Sequence, residues 1–141
     1  MSRIEQQLDY LGNVPLFSGC SKKELKAIQS LCDRIDVPAG KELVRQGATG
    51  YECFVLLAGD ADVSINGRFV TNLGPGAYFG ELALLDKQPR SATVTASSAS
   101  SLLVLGPRQF STALESFPGL AQKMLAGLAV RLREANSRVA V

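Results

Sequence analysis

The chain of 141 residues contains no histidine. That absence removes Ser-His-Asp and Cys-His catalysis, histidine metal sites and haem ligation by histidine. A metalloenzyme built on a small cupin-type β-barrel is disfavoured for the same reason. Charge of either sign is also scarce in excess, with 15 Lys and Arg against 13 Asp and Glu, a net charge of +2. Bulk electrostatics therefore gives no argument for nucleic-acid binding, and no basic run resembles a DNA-binding arm. No apolar stretch reaches membrane-spanning length. The first residues, Met1-Ser2-Arg3-Ile4-Glu5-Gln6-Gln7, lack the apolar core of a signal peptide. Only three cysteines are present, Cys20, Cys32 and Cys53, widely spaced and set in or beside apolar patterns. They read as reduced structural thiols of a cytoplasmic protein.

What is present is enough apolar material, 46% of residues, for one domain with a real core. Ile4, Leu8 and Leu11 have an i, i+4, i+7 spacing that predicts an amphipathic helix over residues 2–11, with Gly12-Asn13 to end it. Val14-Pro15-Leu16-Phe17 reads as an apolar connector. Ser21-Lys22-Lys23-Glu24 fits a capping box, opening a helix with Leu25, Ile28, Leu31 and Cys32 on one face.

From about Arg34 the period shortens. Ile35 and Val37 alternate with polar residues, and Glu42 to Arg45 reads as a short strand. The apolar run from Glu52 to Leu57 suits a buried strand. Asn66-Gly67 is a two-residue hairpin signal between Ala61–Ile65 and Arg68–Leu73, because both residues tolerate positive φ. Ala92–Ala96 and Ser101–Leu105 read as two further strands. Short strands with regular glycine turns predict a β-sandwich or roll, and the flanking helices make the class α+β. Pro107 opens a helix bearing Phe110, Ala113, Leu114 and Phe117. A last helix, to about Arg138, places Leu120, Met124, Leu125, Leu128 and Leu132 on one face. The expected plan is a single domain over 1–141: helices to residue 32, an antiparallel jelly-roll-like β-roll over 33–105, and helices over 106–138.

The chemistry concentrates in residues 79–94, Phe79-Gly80-Glu81-Leu82-Ala83-Leu84-Leu85-Asp86-Lys87-Gln88-Pro89-Arg90-Ser91-Ala92-Thr93-Val94. Arg90 offers a planar fork suited to a phosphodiester and stays charged at any working pH. Gly80 permits close backbone approach. A helical turn over Glu81–Leu85 would leave the amides of Leu82 and Ala83 facing an anion. Ser91 can add a hydroxyl and an amide. Glu81 is repulsive beside a phosphate unless the ligand also carries hydroxyl donors, as a ribose does. Residue types alone leave a second reading open, in which Glu81 and Arg90 form a structural ion pair that pins a loop.

The two segments Phe79–Leu85 and Pro89–Val94 resemble the phosphate-binding cassette of the cyclic nucleotide-binding domain family. That family includes bacterial catabolite activators, protein kinase A regulatory subunits and cyclic-nucleotide-gated channels. The resemblance extends to the Val14–Phe17 entry, the Gly47 and Gly59 turns and the two C-terminal helices. It implies that Glu81 accepts the ribose 2′-OH, with Gly80 approaching the sugar. It implies that Arg90 binds the exocyclic phosphate oxygens and that Ala83 and Ser91 donate amides. Val63, Val70 and Leu73 would line an apolar wall around the purine, against the alternative that they are roll core. Alignment from Pro118 places Asn136 where it can read an adenine edge and Arg131 where it can reach the phosphate. Leu128 and Leu132 are left as a lid or a dimer seam.

Ser91, rather than threonine, follows the cassette arginine, which the resemblance associates with cAMP more than cGMP. The function implied is a stand-alone cyclic nucleotide sensor signalling through its C-terminal helices to a protein effector or a second copy. No cofactor beyond the nucleotide, no metal, no direct nucleic-acid contact and no membrane span are expected. The alternative is a non-binding interaction module that keeps the fold. An enzyme is disfavoured, since no histidine, paired carboxylate or activated nucleophile is available.

Overall fold

The computed structural model describes residues 3–137. Two helices come first, α1 (Arg3–Asn13) and α2 (Lys22–Leu31), joined through a 3-10 turn at Pro15–Phe17. Gly12 and Asn13 are the last residues of α1 and do not follow it. Leu8 and Leu11 are buried, but Ile4 is 59% exposed, so the predicted stripe begins one turn later than its spacing suggested. The capping box at α2 is complete. The Glu24 amide donates to Ser21 Oγ at 3.2 Å, and the Ser21 amide donates to Glu24 Oε1 at 2.8 Å.

Eight strands follow: β1 (Asp33–Val37), β2 (Glu42–Val44), β3 (Cys53–Ala58), β4 (Ala61–Ile65), β5 (Arg68–Leu73), β6 (Tyr78–Phe79), β7 (Thr93–Ala96) and β8 (Ser100–Leu105). They form two four-stranded sheets, ordered β1-β8-β3-β6 and β2-β7-β4-β5, with antiparallel pairing in each. The fold is therefore α+β with an antiparallel roll. Asn66 and Gly67 turn the β4–β5 hairpin with φ of 53° and 77°, the left-handed pair such a turn requires.

The unbroken apolar run of β3 has a simple cause. Cys53 and Val55 face a core shared with the helices, where Leu11, Leu16, Phe17, Ile28, Phe110, Leu120 and Met124 lie. Phe54 and Leu56 face the interior of the roll with Leu102, against which Leu43, Val44, Leu73 and Phe79 pack. Strand β8 is divided the same way, Leu103 and Leu105 toward the helices and Leu102 and Val104 toward the roll. A strand covered on both faces cannot alternate in hydropathy. Glu52, expected as the first residue of this strand, precedes it, and its carbonyl is left to accept from a side chain.

One-turn helix α3 (Ala83–Asp86) follows β6, and helices α4 (Pro107–Ser116) and α5 (Leu120–Ser137) are the last described elements. Helix α3 starts two residues after the predicted turn, because Glu81 and Leu82 still lead into it. In α5, Leu120, Met124 and Gly127 are buried. Leu125 and Leu132, predicted on the same face, are 66% and 62% exposed. They correct the expected stripe: the body of the domain covers one narrow side of α5 and only its first half. Arg138, the expected last residue of this helix, lies outside the described residues.

Candidate functional site

A cavity of about 510 Å³ opens between the cassette and α5. Its lining includes Gly80, Glu81, Leu82, Ala83, Arg90, Ser91 and Arg131, brought together from the β6–β7 segment and from α5. Phe79, stacked on Phe54 with ring centroids 4.8 Å apart, ties the start of the cassette to the roll. Gly80 follows with φ of 79°, a conformation that suits glycine and swings the chain away from the sheet.

The two charged cassette residues are buried and do not pair with one another among the described residues. Glu81 is 6% exposed and Arg90 9%. Glu81 Oε1 accepts from Arg131 Nη1 at 2.6 Å, a bond across 50 residues that docks the outer half of α5 on the cassette. Arg90 Nη2 donates to the Glu52 carbonyl at 2.9 Å and stands 3.5 Å from the Glu52 carboxylate. The guanidinium carbon lies 5.9 Å from the Phe54 ring centre, so the cation also meets an aromatic face. Burial pulls the Arg90 pKa down and the Glu52 carboxylate opposes this. It remains a cation, since an arginine has no accessible neutral form at neutral pH.

The Ala83 amide, expected to face an anion, already donates to the Gly80 carbonyl at 3.1 Å. So short a helix closes its first turn with i→i−3 bonds, which leaves the Leu82 amide without a backbone partner among the described residues. Ser91 is exposed at the cavity wall. Val63, Val70 and Leu73 lie outside the lining of the cavity. Leu73 packs against the roll interior, Val63 is half-buried, and Val70 is 53% exposed at the β4–β5 bulge. Asn136 is exposed near the end of α5 and does not line the cavity. Arg131 is placed on Glu81, whereas the resemblance directs it toward a phosphate.

Tyr78, Asp86, Gln88 and Pro89 also line the cavity. No sequence signal separates Tyr78 from an ordinary strand residue, nor Glu52 from the start of β3. The cysteines show no sign of reactivity. Burial pushes Cys20 up to about 11 and Cys32 up to about 12, and pushes Cys53 up further. Among the described residues no cluster of His, Cys, Asp and Glu could hold a metal ion, and no helix is long and apolar enough to cross a membrane.

A buried arginine and a buried glutamate thus share one cleft, and among the described residues one ion pair joins the cleft to the exposed half of α5. Known proteins are similar in sequence and in fold. The chain is 37% identical over 106 residues to the Pycsar effector protein XpPycTIR of Xanthomonas perforans, covering 74% of this chain and 35% of that protein. It is 34% identical over 127 residues to the Cyclic AMP receptor protein of Thermus thermophilus, covering 86% of this chain and 59% of that one. The chain thus spans about a third to three fifths of the length of these relatives. The crystal structure of the N-terminal domain of a transcriptional regulator from Streptomyces coelicolor A3(2) superposes with a TM-score of 0.83 at 30% identity, covering 92% of this chain and 94% of that one. Residues 34–117, from β1 to the end of α4, match the cyclic nucleotide-binding domain. With the cassette, the roll and the C-terminal helices all in place, the chain belongs to the cyclic nucleotide-binding domain family.

Proposed function

We propose that this domain binds a cyclic nucleotide, cAMP in preference to cGMP, in the cavity between the cassette and α5, and acts as a sensor and not as a catalyst. The observation that carries the reading is the buried Arg90. Its Nη2 is held by the Glu52 carbonyl, its Nε and Nη1 have no hydrogen-bond partner among the described residues, and the residue lines the cavity. A buried cation with a free donor edge on a cavity is suited to an anionic ligand. Glu81 supplies an acceptor for a ribose hydroxyl in the same cavity. Ser91, and the name of the Thermus relative, favour cAMP.

The same geometry supports a route for the signal. Glu81 holds α5 through Arg131 in the present arrangement. A ribose hydroxyl arriving at Glu81 competes for the same oxygens, so ligand and helix are coupled through one carboxylate. Occupancy thereby biases the position of α5, whose exposed Leu125 and Leu132, on one face of the helix, offer an apolar surface to a protein effector or a second copy.

Calorimetric titration with cAMP and cGMP tests this. The wild-type protein is expected to bind cAMP, and Arg90→Ala to lose about a hundredfold or more in affinity, the scale for removing one partner of a buried charge pair. A wild-type protein silent to both nucleotides, or an Arg90→Ala protein that binds as before, would overturn the assignment.

A further inference from the structure

The side chain of Arg90 is 7% exposed, and the loop between β2 and β3 lies against it. That loop holds its main chain first: the Arg90 amide donates to the Ala48 carbonyl, and its carbonyl accepts from the Gly47 amide, both at 2.8 Å. The same loop then walls the guanidinium. A Cβ added at Gly50 would lie 2.6 Å from Arg90 Nη2 and 2.7 Å from Cζ, and closer still to Nε. A Cβ added at Gly80, the residue after β6, would meet Arg90 Nη1. The planar guanidinium therefore occupies a slot with two glycine walls, with the Glu52 carbonyl at its end.

The two glycines differ in what they require. Gly80 has a φ of 79°, and its Cβ would also stand 2.6 Å from the Glu52 carbonyl oxygen, so it is demanded by the backbone as well. Gly50 has no positive φ, and the three nearest atoms to its missing Cβ all belong to Arg90. The closest obstacle to a side chain there is the guanidinium. We infer that Gly50 is a positioning residue for the cationic edge of the site: by lacking a side chain it lets Arg90 lie in the slot with Nη2 anchored and Nη1 presented to the ligand phosphate. The inference rests on the reading above that Arg90 meets the phosphodiester.

The test uses the wild type, Gly50→Ala, Arg90→Lys and the double variant, titrated with cAMP by calorimetry. Gly50→Ala is expected to weaken cAMP about tenfold, the loss of one charge-assisted hydrogen bond, with little change in the urea midpoint. In the Arg90→Lys background the same substitution is expected to change affinity by less than about twofold, because a flexible ammonium stem has no planar fork to displace. In the unliganded protein the Arg90 Nε–H cross-peak in a ¹H–¹⁵N spectrum is expected to shift in Gly50→Ala. Wild-type affinity in Gly50→Ala, an equal loss in the lysine background, an unmoved Nε signal or an unfolded Gly50→Ala protein would each overturn the inference. If the wild type binds no cAMP, the proposed ligand falls, and the Nε signal of the unliganded protein still decides the slot.

Discussion

Replacing Arg131 with methionine keeps the apolar stem of the side chain and removes its charge. In the folded protein Arg131 Nη1 donates to Glu81 Oε1 at 2.6 Å, with the glutamate side chain 8% exposed and the arginine 45%. Fully exposed pairs contribute about 0.2–1 kcal/mol, and breaking a fully buried pair costs about 3–5 kcal/mol. One buried and one half-exposed partner, in a cavity that water can enter, place this pair between the two ranges and nearer the exposed one, at about 1.5 kcal/mol. That energy acts locally. The first half of α5 is held by buried Leu120, Met124 and Gly127 and by Lys123, whose Nζ reaches Glu24 Oε1 at 2.6 Å. Residues 129–137 are all exposed, and the Arg131–Glu81 bond is the one side-chain hydrogen bond from them to an earlier element among the described residues. Local opening of that half should thus become about tenfold more frequent in Arg131→Met, while the first half is unaffected. Amide hydrogen exchange of the unliganded protein measures this directly. Unchanged protection in residues 129–137, or an equal loss over Leu120–Leu128, would mean that the Arg131–Glu81 bond does not hold this half of the helix.

Three further outcomes follow from other contacts. Hydrogen bonding to Lys123, and then to the Ser21 amide, holds the Glu24 carboxyl below its ordinary 4.5. Its contribution to stability is therefore complete above that value and is lost as pH falls through the lower folded value; urea melts from about pH 7 to about pH 3 should show this acid limb flattened in Glu24→Gln. The raised thiol pKa values predict slow reaction of all three cysteines with a thiol reagent at about pH 8 in the folded state and fast reaction in urea, and rapid labelling of the folded protein would contradict the burial. Gly67→Ala forces a φ of 77° on a residue with a side chain, so it should lower stability by about 1 kcal/mol in urea melts. Unaltered stability there would mean that the turn relaxes.

Local features are legible in the order of residues alone. The Ser21–Glu24 capping box and the Asn66–Gly67 turn each involve residues within one turn of chain, and both are present as their residue types demand. The period change near Arg34 locates the roll, and the cassette is located by its own residues, because its polar atoms lie within a dozen positions of one another. The apolar stripe of α5 is legible as periodicity but not as burial. Helical spacing states which residues share a face; whether a neighbour covers that face depends on where the helix ends relative to the body, and α5 outruns its support.

The class of the fold, the order of its elements apart from the two-residue β6, and the identity of the two charged cassette residues are carried by the amino-acid sequence. The partners of those charges are not, and they come from tertiary structure. Glu81 takes Arg131 from 50 residues away, Arg90 takes the Glu52 carbonyl from 38 away, and Glu24 takes Lys123 from 99 away. No periodicity or propensity encodes such pairings. Hydrogen bonds act over about 3 Å in space, and only the folding of the roll brings those residues within that reach.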